Sequence, residues 1–298
     1  MSDPRLLFCV GATKAGTSWL YRALHDHPGA ALKSVKELHY WDTTDLVARD
    51  RQVASYRGKL DQFRQQASEA EAAGRDWQVR NMARRIDDME RLIRVLAADR
   101  ADDRAYMDWL GEGAADRLAA DMTPGYAILP DETLTQMVAR VPGALWVYLV
   151  RDPLARLWSH IRMQAERQRQ SHEAVEDKAN GILWRILNKG HETHILQRGD
   201  YPQAVARLRR IVPASQLRVE FCERLFRTEG WTAMCRFLGL EPTAVDGENR
   251  VHAGPKATMR PDLEQQALGF LKTHYEWAAR EMGPLPQNWQ HNLARAKA

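Results

Sequence analysis

Cysteine is scarce in this chain, and so are long apolar runs. The 298 residues include three cysteines, Cys9, Cys222 and Cys235, far apart and without a CxxC pair. That excludes a disulfide framework and a cysteine-based zinc site, and fits a reducing compartment. No stretch approaches the roughly 18 apolar residues of a membrane span, and the first apolar run is too short for a secretory h-region. The expectation is a cytoplasmic protein with no integral membrane segment. Internal repeats and low-complexity linkers are missing too, so a single domain over residues 1–298 is the expected organisation. Neither sign of charge dominates: 43 Lys and Arg against 39 Asp and Glu give a net +4. So small an excess favours anionic ligands without naming one, and makes no specific case for nucleic acid. Hydrophobic residues at 44% and charged residues at 28% exclude a disordered or fibrous chain.

What is present is a strand, loop and helix pattern that occurs twice. Leu6 to Val10 is a short apolar run closed by Gly11, as expected of a buried strand feeding a turn. A helix capped by Thr17 or Ser18 should follow, with Leu20, Tyr21 and Leu24 at helical spacing and His27-Pro28-Gly29 as its stop. Leu145 to Val150 is the second buried strand, followed by Arg151-Asp152-Pro153 and a helix carrying Leu157, Trp158 and Ile161. Weaker strands are expected at Arg117 to Ala120 and Leu217 to Phe221, which makes a parallel α/β sheet the expected core. Between about 56 and 100 the chain lacks proline and reads as helix. Leu60, Phe63 and Ala67 form one stripe, Met82, Ile86, Met89, Ile93 and Leu96 a second, with Gly74 as the turn of an inserted hairpin.

The first loop, Gly11-Ala12-Thr13-Lys14-Ala15-Gly16-Thr17-Ser18, opens the first helix, where main-chain amides and the positive helix end favour an anion. Gly11 and Gly16 permit tight turns, Lys14 can reach the bound group, and Thr17 and Ser18 add hydroxyl donors. Loops that bind nucleoside triphosphates read GxxxxGK[ST], with a hydroxyl held on magnesium. Here Thr17 follows Gly16 and the lysine has moved to position 14, which argues against ATP or GTP. Phosphoryl transfer from those nucleotides stays as one alternative, and a noncatalytic anion-binding or nucleic-acid-binding protein as another.

From Gly11 to Leu20 the chain fits GxxKxGTxxL, and it resembles the sulfotransferases that use 3′-phosphoadenosine 5′-phosphosulfate (PAPS). The resemblance implies a three-layer, P-loop-like α/β domain with a mostly parallel central sheet and a helical insertion, and no required metal. It places Lys14 at the bridging oxygen or sulfuryl group, with Ala15, Gly16, Thr17, Ser18 and Trp19 around the 5′-phosphate. Arg151 and Ser159, in the run from Arg151 to Ser159, resemble the family's 3′-phosphate pair. Arg156 is either a structural partner or part of that site. The segment from Asn249 to Pro261 resembles the loop that closes over the adenosine, with Lys256 and Arg260 as its cations.

Lys36-Glu37-Leu38-His39-Tyr40-Trp41-Asp42 resembles the KExHFFD-like segment of heparan-type and bacterial carbohydrate sulfotransferases. That makes Glu37 the leading general base, His39 its rival, and His39 and Asp42 supporting or acceptor-contact residues. Asp121-Met122-Thr123-Pro124-Gly125-Tyr126 resembles the family's TPxY segment and adds Thr123 as a substrate contact. The implied acceptor is a carbohydrate or glycolipid hydroxyl, or an amine. The resemblance is weakest over the inserted hairpin.

Overall fold

The computed structural model describes residues 5–98, 102–245 and 256–297. Strand β1 (Arg5–Gly11) lies at the centre, buried from Leu6 onward, which is what a continuous apolar run between two neighbouring strands requires. The chain then forms α1 (Thr17–His25), α2 (Leu46–Ala72), α3 (Asp76–Ala97) and α4 (Arg104–Gly111) before β2 (Leu118–Asp121). After α5 (Asp131–Arg140) comes β3 (Leu145–Val150), and after α6 (Pro153–Gln168), α7 (Val175–Lys189), α8 (Thr193–Gln197) and α9 (Tyr201–Ile211) comes β4 (Leu217–Phe221). Helices α10 (Cys222–Leu225), α11 (Thr228–Phe237), α12 (Pro261–Glu281) and α13 (Gln287–Lys297) follow.

The sheet order is β2-β1-β3-β4 and every pairing is parallel. From β1 the chain returns to β2 on one side; from β3 it goes on to β4 on the other. The loops after β1 and β3 therefore leave in opposite directions and open a crevice between their carboxyl ends, the usual ligand position in such sheets. The two loops expected from sequence to bind phosphate flank that crevice.

Two helical expectations shift. The first helix is capped by Gly16 in the left-handed conformation (φ 91°), with Thr17 and Ser18 inside its first turn rather than at its cap. The inserted helix begins at Leu46 behind an Asp45 cap, and its partner follows the turn at Gly74. Val53, Tyr56 and Leu60 are its buried face near the sheet, whereas Phe63 and Ala67 are half-buried. The C-terminal helices cross back over the sheet: Trp289 is fully buried against Phe221 and Tyr275, and Asn292 reaches Asp152 at 3.0 Å.

Gly11 lets β1 pass close to β3, because a Cβ there would fall within the Tyr148 ring, whereas Gly58 on α2 has nothing within 4 Å. Gly11→Ala is expected to cost about 1–3 kcal/mol by overpacking, and Gly58→Ala to gain about 0.5–1 kcal/mol from helix propensity. Chemical denaturation of both variants against the parent checks the opposite signs.

Candidate active site

The loop after β1 leaves donors open. The Ala15 N–H bonds the Ala12 carbonyl at 3.1 Å, and the N–H groups of Trp19 and Leu20 bond the Gly16 carbonyl. The first-turn amides of Gly16, Thr17 and Ser18 take no main-chain carbonyl. Two residues of the expected cofactor set do not offer open main-chain amides. Ala15 is buried with its amide in use, and Trp19 packs its ring on Phe226 and Trp231 at 5.1 and 5.8 Å, on the core side of α1. The Thr13 hydroxyl is buried without a hydrogen bond. A Cβ on Gly16 would press on Phe226, so glycine is required there for both space and backbone angle.

Cations crowd this loop. Arg151, directly after β3, donates to the Lys14 carbonyl at 3.2 Å. Neither Lys14 nor Arg151 has an ion pair among the described residues. Burial lowers the Lys14 pKa, and Arg151, Arg162, Lys36 and Arg167 lower it further. Tyr201 holds the Arg151 main chain, donating to its carbonyl at 2.7 Å, while Asp152 caps α6 and is braced by Tyr275 and Asn292. Ser159 is half-buried on α6, two turns beyond Arg151.

Glu37, His39 and Asp42 come together at the mouth of the crevice. His39 Nδ1 lies 2.6 Å from Asp42 Oδ2, and its Nε2 lies 3.9 Å from Glu37 Oε2. Burial acts to lower the His39 pKa, but the Asp42 and Glu37 carboxylates outweigh it and raise it to about 9. For Glu37, burial acts upward and is outweighed by His39 and Lys36, which hold it near 2. Both Glu37 (φ 64°) and His39 (φ 50°) are left-handed, as is Lys14 (φ 70°). Non-glycine residues in such conformations cost of the order of 1–3 kcal/mol each and persist only where the surroundings impose them.

The surroundings here are a hydroxyl network. Thr123 Oγ1 accepts from the Leu38 N–H at 2.9 Å and donates to Asp121 Oδ1 at 2.6 Å. Tyr126 donates to Asp121 Oδ2 at 2.8 Å and accepts from the Tyr40 N–H at 2.9 Å. Tyr56, from α2, donates to the Glu37 carbonyl. Thr123, expected as a substrate contact, is fully buried and holds the main chain of Leu38 through these bonds.

Lys36 was left outside the expected site, as a mere ion-pair partner of Glu37. Its ammonium donates to Thr17 Oγ1 at 3.2 Å, Ser18 Oγ at 3.3 Å and Glu37 Oε1 at 3.2 Å, joining the anion loop to the carboxylate. A lysine next to an acidic residue carries no such signal in sequence. Arg260 departs in the other direction: its guanidinium pairs with Asp262 at 2.6 Å and lines a depression with Glu176, Asp177 and Trp184. Lys256 is exposed, and the preceding loop residues, 249–255, lie outside the described residues. Among the described residues no cluster of three His, Cys, Asp or Glu side chains is arranged to hold a metal, and no helix is long and apolar enough to cross a membrane.

Because the folded His39 pKa lies above the unfolded value of 6.5, its ion pairs add stability below that pH and lose it as pH rises through about 9. Ring NMR signals assigned with His39→Asn are expected to titrate near 9 in the parent and lower in Asp42→Asn. A midpoint near the ordinary value in the parent would contradict the ion-paired geometry.

The model of the Sulfotransferase family matches residues 4–244. A crystal structure described as a sulfotransferase from Alicyclobacillus acidocaldarius has a TM-score of 0.59 at 19% identity, covering 97% of this chain and 100% of that one. The sulfotransferase domain of the Synechococcus PCC 7002 olefin synthase gives a TM-score of 0.44 at 18% identity, covering 99% and 94% of the two chains. That of the curacin biosynthetic pathway gives 0.48 at 16%, covering 100% and 99%. No curated protein matches the chain. The first structure shares the α/β, P-loop-like fold. Since the family match runs from the start of β1 past β4, over the whole sheet and both crevice loops, the chain belongs to the sulfotransferase family.

Proposed function

We propose that this protein moves a sulfuryl group from PAPS to an acceptor hydroxyl or amine, on a carbohydrate or glycolipid, with Glu37 as the general base. The observation that carries the reading is the position of Lys36, whose ammonium bonds Thr17, Ser18 and Glu37 together. One side chain thus joins the anion loop to the carboxylate, as in-line transfer between two bound groups needs.

The donor set fits PAPS. Gly16, Thr17 and Ser18 offer open amides at a helix N-terminus, and Lys14 and Arg151 are cations without carboxylate partners among the described residues. In this reading Gly16 to Ser18 hold the 5′-phosphate, and Arg151 and Ser159 hold the 3′-phosphate by charge-assisted and hydroxyl contacts. Lys256 is exposed on the segment that resembles the adenosine loop, and we assign it a supporting contact. PAPS supplies a sulfuryl group activated by its phosphate leaving group. Lys14 neutralises charge developing on the leaving oxygen, a role that needs no metal.

The base assignment follows from protonation. At neutral pH His39, raised to about 9, is an imidazolium and has no lone pair for an acceptor proton. Glu37 is ionised, and His39 with Asp42 behind it fixes the carboxylate's direction. Held near 2 by His39 and Lys36, Glu37 is a weak base until Lys36 turns toward bound anion and loosens its hold. Lys36 thereby ties donor occupancy to basicity. Buried, unpaired Cys9, Cys222 and Cys235 fit the cytoplasm as its compartment.

Calorimetry with PAP, ATP and GTP, each with and without magnesium, tests the donor. PAP is expected to bind without metal; magnesium-dependent ATP binding with no PAP response would sink the assignment. Arg151→Ala is expected to lose about 1.5–3 kcal/mol of PAP affinity. Glu37→Gln is expected to keep PAP affinity and to lose about 10²–10⁴-fold in turnover with labelled PAPS. His39→Asn should be milder, and the reverse ranking would transfer the base role to His39.

A further inference from the structure

Beyond the donor loop, the crevice holds a guanidinium with nothing to bind. Arg198 ends α8, and among the described residues its half-buried side chain makes no hydrogen bond or ion pair. Its main chain is fixed from beneath. Arg156, buried in α6, donates to the Ile195 carbonyl at 3.1 Å and packs against Gly199, where any Cβ would collide with it. The Gly199 N–H bonds the Leu196 carbonyl at 2.8 Å, so the turn that presents Arg198 has little freedom.

The side chain reaches the candidate catalytic group. A Cβ built on Gly125 would have Asp42 Oδ2 at 3.5 Å, Arg198 Nη1 at 3.6 Å and His39 Cε1 at 4.0 Å as its nearest neighbours. Gly125 is thus a meeting point of the His39–Asp42 pair and Arg198. Asp42 makes no ion pair with Arg198; its Oδ2 is bonded to His39 at 2.6 Å. The α6 side of the crevice is basic too. His160 is kept neutral by burial and then by Arg156, Arg198, His194 and Lys14. A partly desolvated cation in such company is costly unless a ligand brings the counter-charge.

We infer that Arg198 binds a carboxylate on the acceptor, so that the acceptor is a hydroxyl compound with a single negative charge close to the hydroxyl facing Glu37 and His39. The inference rests on the sulfotransferase reading and narrows its acceptor class. A guanidinium fork matches the two oxygens of a carboxylate. The Asp42 carboxylate across Gly125 disfavours a doubly charged group.

The test uses PAP-loaded protein and two matched pairs: p-nitrophenyl β-D-glucuronide with the corresponding glucoside, and p-hydroxyphenylacetate with p-hydroxyphenyl ethanol. In at least one pair the acid should bind the parent about tenfold or more tightly than the neutral partner, the size of a charged hydrogen-bond contribution. Arg198→Ala should bring that ratio close to one while the neutral compound, PAP and thermal unfolding are unaffected; Arg198→Lys should keep part of it. Equal binding of acid and neutral compound by the parent, no binding of either acid, or a preference that survives in Arg198→Ala would overturn the inference. PAP affinity is read first and separates the two claims. Loss of PAP binding by the parent sinks the donor reading, whereas tight PAP binding with no preference for the acids sinks only the role of Arg198.

Discussion

The catalytic arrangement depends on one buried carboxylate, Asp121, at the end of β2. It accepts from three hydroxyls, those of Thr123, Tyr106 and Tyr126, at 2.6 to 2.8 Å. Burial raises its pKa to about 6, with the three donors pulling against that rise. A hydroxyl that gives its proton to a carboxylate has lone pairs left to accept with, and Thr123 and Tyr126 turn theirs toward the main chain of residues 38 to 41. The sheet thereby fixes a segment that has no regular structure of its own and that carries two residues at positive φ.

The helical insertion joins the same network from outside. Tyr56 of α2 takes the Glu37 carbonyl, and the Tyr40 ring stacks on Tyr106 at 4.0 Å, next to the hydroxyl bound to Asp121. The hairpin is thus more than a solvated pair of charged helices, since one edge of it holds the backbone of the candidate base. On the donor side the organising constraint is unbalanced charge. Lys14, Lys36 and Arg151 converge at the crevice, and among the described residues the one carboxylate bonded to them is Glu37, through Lys36. Such a group is stable with an anion among it, and the open amides of α1 face the same place.

The chain advertised its inner strands plainly, because a strand buried in a parallel sheet is apolar throughout, as Leu145 to Val150 is; Leu217 to Phe221, at the sheet edge and interrupted by Arg218 and Glu220, gave the weaker signal and still forms where expected. The strand, loop and helix around Gly11 and Gly16 were equally legible, since glycine spacing is a local necessity of so tight a turn. The packing of Trp19 was not legible in the same way. It sits in the motif by sequence, but helical geometry turns position 19 toward Phe226 and Trp231. The bond of Thr123 to Asp121 was not legible, because Asp121 becomes a buried carboxylate only when β2 is covered.

Sequence by itself determined the parallel α/β core, the anion loop and the clustering of Glu37, His39 and Asp42, because each follows from residues within a few positions of one another. Tertiary structure alone decided that Lys36 bridges the loop to Glu37, that Thr123 holds the Leu38 main chain, and that Arg198 comes near His39 and Asp42 at Gly125. Those relations join residues on separate elements, and a side chain's partners there are set by how the elements pack, which no local pattern encodes.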